Sequence, residues 1–359
     1  MDTPSLRRGW TTGACATAAT RAAAEALITG HFPDPVRIRL PGGSEVGFAL
    51  AETRLLPNAA EAGVVKDAGD DPDVTHGAMI RASVSRGPTG SGISFAAGEG
   101  VGMVTLPGLP IPPGQPAINP VPRRMMAEAL AEVSARFGTG PDWAVEISIP
   151  GGAALAEKTL NGRLGIVGGL SVLGTTGIVI PFSCSAWIDS IHRGVDVARA
   201  LSLPHIAAAT GRTSEEAVQK LYGLPDAALL DMGDFVGGTL KYIRRHPVPR
   251  LTIAGGPAKI TKLAQGRLDL HSKRGSVDTA ALAEFAREIG ADATLTAAIA
   301  GANTTLHAFE LAAGLPLAQA IAARAHATAQ AVLDEAPVAL EILIIDRAGG
   351  LIARHPPLS

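Results

Sequence analysis

The sequence predicts an α+β N-terminal domain joined to an α/β domain with a mostly parallel sheet. Short alternating strands and turns dominate the first half, whereas apolar strands alternate with amphipathic helices after about residue 183. A chain of 359 residues with 47% apolar content is long enough to form two cores. We therefore expect one domain over residues 1–182 and a second over residues 183–359.

Apolar periodicity and helix stop signals define the elements of the first domain. An alanine- and threonine-rich helix is predicted over residues 13–29, with Gly30 as its stop signal. A second helix over residues 123–137 carries an apolar stripe on one face. The segment 98–122 is so rich in glycine and proline that we expect an ordered loop or lid. Alternation predicts strands at Val36–Leu40, Met79–Val84 and Ala144–Ile149.

In the second domain, the sequence pattern predicts strands that are each followed by a helix. Helices are predicted over 185–201, from about 214, and over 235–245, the second with capping-box spacing at Thr213 and Glu216. Asp278 is expected to cap a later helix. The predicted strands are His205–Ala209, Leu251–Ala254 and Leu340–Ile345.

Composition limits the classes of function. The formal charge of −2 and the absence of a basic block argue against nucleic-acid binding. The two cysteines, Cys15 and Cys184, lack ligand spacing, fit a reducing compartment and are each expected to be buried. The N-terminus has no apolar signal segment, so a cytoplasmic location is expected.

One long uncharged stretch calls for a test of membrane insertion. No charged residue occurs between Arg163 and Asp189, but the stretch contains glycines, a proline and several hydroxyls. Such residues make a continuous spanning helix unfavourable. We therefore expect buried loop and strand here, and no membrane partner.

The most informative segment is KDAGDDPDVTHG at residues 66–77, which we call the acidic loop. Gly69 and Pro72 exclude a helix and favour a shaped loop. The crowded carboxylates repel one another unless they are solvated, hydrogen-bonded or bound to a ligand. The segment is therefore either a solvated acidic turn or part of a binding site.

Several other segments could bind a ligand. The start of the 13–29 helix offers free N–H groups to an anion, although Thr11 or Thr12 could simply cap it. The glycine-rich segment 165–177 matches neither a dinucleotide fingerprint nor a P-loop. The further candidates are two strand-to-glycine junctions, at 209–211 and 254–256, and a polar loop with His271 and Arg274. The sequence has no HExxH, EF-hand or CxxC pattern for a metal ion.

Taken together, these segments resemble the cobalt-precorrin-5B C(1)-methyltransferase family of anaerobic cobalamin biosynthesis. The resemblance covers residue 9 to about 275, in the family's order, with Ala14 and Trp10 as small departures from its pattern. The matching blocks are TTGACATAA, KDAGDDPDVTHG, GEGVGMVTLPGL, GGLSVLGTTGIVIP, GDFVGGTLKYI and IAGGPAKITKLAQGRLDLHSKRG.

The resemblance implies a specific reaction. It implies transfer of a methyl group from S-adenosylmethionine to carbon 1 of cobalt-precorrin-5B, a contracted macrocycle, to give cobalt-precorrin-6A. The cobalt then belongs to the substrate and not to protein side chains. It also implies a fold like an α+β domain joined to an α/β domain. A homodimer is left open.

Charge complementarity suggests which residues of such a site bind the substrate and which bind the cofactor. A proton that leaves the ring could pass to Asp70, Asp71 or His76. The macrocycle's carboxylate arms favour cations and helix N-termini. Substrate binding is therefore assigned to Arg7, Arg8, Thr11, Thr12, Gly13, Lys66, Asp73 and Thr75. Cofactor binding is assigned to Asp67, Gly69, Gly168, Gly169, Thr175, Thr176 and Gly177.

Two alternatives remain from other classes. One is a carrier that shelters a tetrapyrrole intermediate without catalysis, which predicts pigment binding and no affinity for S-adenosylmethionine. The other is a metabolic α/β enzyme with a nucleotide at the Gly255-Gly256 junction, for which the sequence contains no fingerprint.

Overall fold

The computed structural model describes residues 6–272 and 275–356. Its α/β structure is mixed, and its sheets include parallel strands. The chain divides into two compact units, the first ending at Cys184 and the second beginning at Ser185. Arg274, a candidate of the polar loop, lies outside the described residues.

The first unit is built on a five-stranded sheet of order β4-β5-β6-β9-β7, in which only the β7–β9 pair is parallel. The sheet's strands are β4 (Glu52–Leu55), β5 (Ala59–Val65), β6 (Met79–Arg86), β7 (Ile93–Ala97) and β9 (Trp143–Ser148). Two-stranded pairs are formed by β1 (Gly9–Trp10) with β11 (Ile178–Val179), β2 (Val36–Arg39) with β3 (Glu45–Phe48), and β8 (Met103–Val104) with β10 (Ile166–Val167). The helices are α1 (Thr12–Thr29), α2 (Pro120–Phe137) and α3 (Gly152–Ala156).

Helix α1 is the centre of this unit's core. It packs against β5, β6 and α2. Its alanines allow close approach of backbone to backbone, and Gly30 ends it in the left-handed conformation with φ of 76°. Helix α2 buries Met126 and Leu130 completely, each contributing roughly 1.5–3 kcal/mol. Both predicted helices and the three predicted strands are confirmed, and α2 begins three residues early because Pro120 suits a first helical turn.

The second unit contains a sheet of order β13-β12-β14-β15-β16, parallel except for β16. Its strands are β12 (Ile206–Ala209), β13 (Leu229–Asp231), β14 (Arg250–Gly255), β15 (Ala339–Ile345) and β16 (Leu351–His355). Its helices are α4 (Cys184–Ala200), α5 (Arg212–Tyr222), α6 (Val236–Arg245), α7 (Pro257–Ala264), α8 (Thr279–Glu288), α9 (Ala293–Ala300), α10 (Thr305–Leu311) and α11 (Leu317–Leu333).

The strand order of this sheet creates a switch point. The chain leaves β12 toward its neighbour β13 on one side, then crosses to β14 on the other side of β12. The connections after β12 and β14 therefore diverge, which opens a crevice at the carboxyl ends of these adjacent strands. The predicted strands of this half are confirmed, as is the Asp278 cap, which accepts a hydrogen bond from Ala281 N at 3.0 Å.

Two local predictions were wrong. Thr213 and Glu216 form no capping box, because α5 begins at Arg212 directly after Gly211, which is its N-cap without a side-chain bond. Cys184 is exposed at the first residue of α4, whereas Cys15 is buried as expected. Burial raises the pKa of the Cys15 thiol to about 12.

A buried carboxylate joins three strands of the second sheet. Glu341 on β15 is 3% exposed and accepts hydrogen bonds from Tyr222 Oη and Thr252 Oγ1, both at 2.7 Å. Arg250 and Arg354 approach the same carboxylate at 3.3 Å. Burial and the Glu341 contact raise the pKa of Tyr222 to about 12. The network is satisfied only while the carboxylate is present.

We expect Glu341→Ala to lower the free energy of unfolding by about 3 kcal/mol, because it leaves two arginines and two hydroxyls without their acceptor. Urea unfolding followed by circular dichroism measures the loss. Glu335→Ala is the matched control, since Glu335 is exposed in the connection between α11 and β15. Equal stability of the two variants would contradict a structural role for the network.

Candidate functional site

The acidic loop is the connection between β5 and β6. The last pair of that ladder joins Val65 to Met79, and Lys66 N donates to Ala78 O at 2.9 Å. Gly77 N donates back to Lys66 O at 2.8 Å. The base of the loop is thus a continuation of the hairpin, which fixes where its carboxylates emerge.

Lys66 organises the inside of the loop. This lysine is 2% exposed, and its ammonium donates to Asp73 and to Thr75 Oγ1. Asp73 also accepts from Thr75 N at 2.8 Å. Burial opposes ionisation of Asp73, but the charge of Lys66 and the hydrogen bonds lower its pKa below the ordinary value. These three predicted substrate contacts therefore partner one another, and they shape the loop from within.

Arg7 joins the N-terminal segment to Asp67. Its guanidinium forms a bidentate ion pair with this carboxylate, in which Nη2 lies 2.9 Å from Oδ1. Gly69 N also donates to Asp67, at 2.9 Å. The hydrogen bond from Arg7, followed by that from Gly69, lowers the pKa of Asp67 to about 2. Asp67 is therefore ionised at neutral pH and its oxygens are occupied by protein donors.

The N-terminal segment also touches the loop through backbone atoms. Trp10 N donates to Asp67 O at 2.7 Å, and Asp70 N donates to Arg7 O at 3.0 Å. A Cβ atom on Gly9 would lie 2.0 Å from the carbonyl carbon of Ala68, and one on Gly69 would lie 2.2 Å from Arg7 O. Glycine is needed at both positions because the two chains are in direct contact.

Asp70 and Asp71 are each held by one oxygen. Asp70 Oδ2 accepts from Arg7 N at 2.6 Å, and Asp71 Oδ1 accepts from Phe182 N at 2.8 Å. Within residues 6–272 and 275–356, the second oxygen of each carboxylate has no hydrogen bond. The two side chains are thus oriented by the protein while each keeps one oxygen for a ligand or a proton.

His76 is arranged differently from the predicted proton acceptor. Its Nδ1 accepts a hydrogen bond from Ala68 N at 3.1 Å. A neutral ring that accepts at Nδ1 carries its hydrogen on Nε2, so the exposed nitrogen is a donor. The geometry suits His76 to hydrogen-bond an acceptor on a ligand, and it favours Asp70 and Asp71 as proton acceptors.

Two N–H groups at the start of α1 are hydrogen-bonded within the protein. Gly13 N donates to Leu173 O at 2.9 Å, and Ala14 N donates to Thr11 Oγ1 at 3.2 Å. Thr11 and Thr12 are 6% and 2% exposed. The anion site predicted here thus lacks the free Gly13 and Ala14 donors that it requires. Arg8, by contrast, is exposed and forms no ion pair with a described residue.

The glycine-rich segment divides into two parts. Thr11 N donates to Gly177 O at 3.0 Å, so Thr175, Thr176 and Gly177 lie near the N-terminal segment and hence near the acidic loop. In the part of the chain that the structure describes, Thr176 Oγ1 bonds only within its own turn: it donates to Ile178 O and accepts from Ile178 N.

Gly168 and Gly169 do not join that cluster. A Cβ on Gly169 would lie 2.3 Å from Gly100 O, and its carbonyl accepts from Asn161 Nδ2 at 3.1 Å. Gly168 has a φ of 86°, which favours glycine. Packing and conformation explain both glycines without a cofactor. The contacts of Gly169 are thus with Gly100 and Asn161, and not with the acidic loop.

The second unit contains a cavity of about 350 Å³, which we call the sheet-edge cavity. It lies at the switch point, where both predicted strand-to-glycine junctions meet. Four segments line it, namely Thr210–Ser214 after β12, Gly256–Lys259 after β14, Thr304–Leu306 at the start of α10, and Ile345–Arg347 after β15. Lys259 Nζ joins two of these segments by donating to Thr210 O at 2.7 Å.

Sequence reasoning missed the polar groups of this cavity. Asp346 follows β15, and its Oδ1 accepts from Ala348 N at 2.8 Å and from Gly350 N at 2.7 Å. Thr305 also borders the cavity; it is 5% exposed, and its buried Oγ1 has no hydrogen-bond partner among the described residues. An acidic residue immediately after the apolar run 340–345 was the available signal, since parallel strands present ligand-binding groups at their carboxyl ends.

Across the described ranges, the side chains form no group of three or more histidine, cysteine or acidic residues that could hold a metal ion. None of the helices in this part of the chain is long and apolar enough to cross a membrane.

Comparison with known families covers both units. A CbiD family profile matches residues 1–181, and a CbiD C-terminal domain profile matches residues 269–356.

Proteins named cobalt-precorrin-5B C(1)-methyltransferase are similar over nearly the whole length. That of Agrobacterium fabrum is 60% identical, covering 98% of this chain and 94% of its own. That of Paramagnetospirillum magneticum is 60% identical, covering 98% of both chains. A crystal structure of the cobalamin biosynthesis protein CbiD from Archaeoglobus fulgidus is 29% identical, covering 70% of this chain and 77% of its own, with a TM-score of 0.40.

We expect Arg7→Met to raise the pKa of Asp67 from about 2 toward 3.8, because it removes the larger of the two hydrogen-bonding causes. The rise should be incomplete, since the Gly69 N–H remains. A carboxyl-carbon NMR titration measures it. Arg37→Met, which removes an exposed arginine from β2, should leave the Asp67 titration unchanged. An unaltered pKa in Arg7→Met would contradict the ion pair.

Proposed function

This chain belongs to the CbiD family, and we propose that it methylates carbon 1 of cobalt-precorrin-5B, with S-adenosylmethionine as the methyl donor. The observation that carries the proposal is 60% identity over 98% of the chain to enzymes named for this reaction. The cobalt enters with the substrate. No observation on either unit favours a carrier that only shelters the pigment.

The donor, when bound, supplies an electrophilic methyl group. Positioning is then the main contribution that the protein can make. The sheet-edge cavity fits a molecule of this class, because its volume lies at the lower end of the roughly 300–1,000 Å³ range of ligand pockets. Its glycine-lined walls allow close approach of a ligand to the backbone.

The acidic loop and its neighbours suit the macrocyclic acceptor. Arg8 is an exposed cation next to the loop and can pair with a carboxylate arm. Arg7 is already paired with Asp67, so its contribution to substrate binding is to fix the N-terminal segment. Lys66, Asp73 and Thr75 support the loop's shape. Thr11, Thr12 and Gly13 hold the segment below it.

Asp70 and Asp71 are the proposed proton acceptors. Each carboxylate is oriented through one oxygen and leaves the other available. A base must lie within hydrogen-bond reach of the proton that it removes, and two oriented carboxylates on one turn satisfy this requirement over a range of ring positions. His76 then donates from Nε2 to a carboxylate or carbonyl of the substrate.

The proposal includes the wider setting. We propose that the chain's division near residue 182 corresponds to two domains, and that the protein works in the cytoplasm without nucleic-acid or membrane partners. The low net charge and the absence of a basic block support the second point. A homodimer is compatible with it.

The direct test is a methyl-transfer assay. Incubation of the protein with S-adenosylmethionine and the macrocyclic substrate should give a product heavier by one methyl group, detected by mass spectrometry. With a donor labelled at its methyl carbon, NMR of the product should place the label at carbon 1. Pigment binding without methyl transfer would support a carrier instead.

Replacing both Asp70 and Asp71 by Asn should lower kcat by about 100-fold or more while changing the melting temperature little. The removed carboxylates are the proposed proton acceptors, and general-base catalysis typically contributes about 10²–10⁴-fold. Asn retains an acceptor for Arg7 N and Phe182 N, so the loop should stay folded.

Glu45→Gln with Glu128→Gln is the matched control, because it removes two exposed carboxylates from the same unit. It should leave kcat unchanged. A large loss of stability with normal turnover per folded molecule in the Asp70 and Asp71 variant would show that the loop is only a structural turn.

A further inference from the structure

We propose that the phenyl ring of Phe182 packs against one face of the macrocyclic substrate and holds its edge beside the carboxylates of Asp70 and Asp71. The identity of this substrate rests on the proposed function. Phe182 is then a substrate-contacting residue at which neither the sequence motifs nor the charges pointed. Its exposure, its backbone conformation and the hydrogen bond that holds it support this role.

Phe182 is the most exposed of the large apolar residues within 6–272 and 275–356. It is 66% exposed, whereas each of the other seven phenylalanines is buried or half-buried. Burial of an aromatic ring stabilises a fold, and this ring forgoes most of that gain. Its exposure therefore suits contact with a ligand better than a role in the core.

The backbone of Phe182 has a conformation that phenylalanine rarely adopts. Its φ is 56°, in the left-handed region, where the Cβ of a bulky residue lies too close to the backbone. Such strain persists only where the surrounding structure enforces it, and it is concentrated at functional sites. Glycine would adopt this conformation without strain, so the backbone does not account for the phenyl ring.

Contacts on both sides of the turn hold this conformation. Phe182 N donates to Asp71 Oδ1 at 2.8 Å. Pro181, just before it, is buried, and its own φ is fixed by the pyrrolidine ring. Two residues earlier, Val179 on β11 pairs with Gly9 on β1. The phenyl ring thus projects from a fixed backbone, and a ligand that packs on it has little protein flexibility to remove.

The groups around Phe182 indicate the chemistry of the molecule that covers it. Leu6 and Ile180 are 53% and 54% exposed and add apolar surface. Asp71 accepts from Phe182 N through one oxygen, and Arg8 is an exposed cation whose carbonyl lies against Gly69 of the acidic loop. The occupant therefore needs an apolar face, a proton or donor at its edge, and anionic groups. A conjugated macrocycle with carboxylate arms has all three.

A second copy of this chain fits the surface less well. A stable dimer buries roughly 800 Å² per partner, and the centre of its interface is depleted of charged residues. Here a few exposed apolar side chains alternate with Arg7, Arg8, Asp70 and Asp71 on short segments. Such a surface favours a small amphipathic molecule.

Phe182→Gly is the sharpest test, because stability and pigment binding should respond differently. Glycine relieves the left-handed strain, so the melting temperature should stay unchanged or rise. Affinity for the macrocyclic substrate, followed anaerobically by its visible absorption without donor, should fall about tenfold, since stacking on an aromatic side chain contributes on this order. In turnover, KM for the macrocycle should rise by the same factor, with kcat and KM for S-adenosylmethionine nearly unchanged.

Further variants separate the ring from the backbone. Phe182→Tyr keeps an aromatic ring and should restore wild-type affinity. Phe182→Asn removes the ring with a residue that tolerates positive φ, and it should reproduce the loss seen with glycine. Ser202→Gly relaxes the same conformation elsewhere, at φ of 54°, and should not change pigment affinity.

Leu55→Ala is the matched control for loss of exposed apolar surface. Leu55 is 48% exposed in the same unit, and it pairs with Ala60, at the end of β5 opposite the acidic loop. Its replacement should leave pigment affinity unchanged. An equal loss of affinity in this variant would contradict a specific role for Phe182.

The outcomes distinguish this inference from the proposed function. Unchanged pigment affinity in Phe182→Gly, with normal methyl transfer by the wild type, would overturn the assignment and leave the methyltransferase proposal intact. Pigment binding that depends on Phe182, without methyl transfer, would support the assignment and contradict the proposed function. Failure of the wild type to bind the pigment would overturn both. A dimer in sedimentation that Phe182→Gly dissociates, with pigment affinity unchanged, would identify a contact between copies and contradict the assignment.

Discussion

Direct backbone contact between residues 7–10 and the acidic loop is the constraint on which the first unit's site depends. Gly9 and Gly69 allow two chain segments to approach closely enough for carbonyls and amides to pair without intervening side chains. Once the segments are in contact, the Arg7 guanidinium is beside Asp67, and Asp70 can accept from the Arg7 amide. Asp71 is fixed in turn by Phe182 N. The orientation of the carboxylates therefore depends on the absence of a side chain at Gly9 and at Gly69.

Lys66 provides the complementary constraint from inside. A buried ammonium requires a paired carboxylate, because an uncompensated charge in the interior costs several kcal/mol. Asp73 meets this requirement, so one of the loop's carboxylates is used for folding, and Asp67 is used for joining the N-terminal segment. The repulsion expected within the acidic loop is thereby reduced. Asp70 and Asp71 remain, and each of them accepts a hydrogen bond from a described residue through one carboxylate oxygen only.

The fold was predictable from sequence wherever periodicity and stop signals were strong, as in α1 with Gly30 and in the apolar strand at 340–345. The Thr213 capping box was not, because the local pattern contains no information about where β12 ends and how abruptly the chain must turn. The site was predictable as a set of polar loops but not as a set of partners. Asp73 and Asp70 look alike in sequence, yet only the fold shows that the buried Lys66 pairs with Asp73. Thr305 is an ordinary hydroxyl residue in the sequence, and its missing hydrogen bond could not be inferred without coordinates.

The contrast between the two cysteines has a practical consequence. Cys15 is enclosed in α1 and its thiol resists ionisation, whereas Cys184 is exposed where α4 begins. Thiol reagents react with accessible thiolates, so a maleimide dye applied to the native protein should attach at one position only. The chain thus carries a single natural labelling position at Cys184, suitable for a fluorescent or spin probe. The same feature makes a reducing agent advisable during purification, since an exposed thiol can crosslink two molecules.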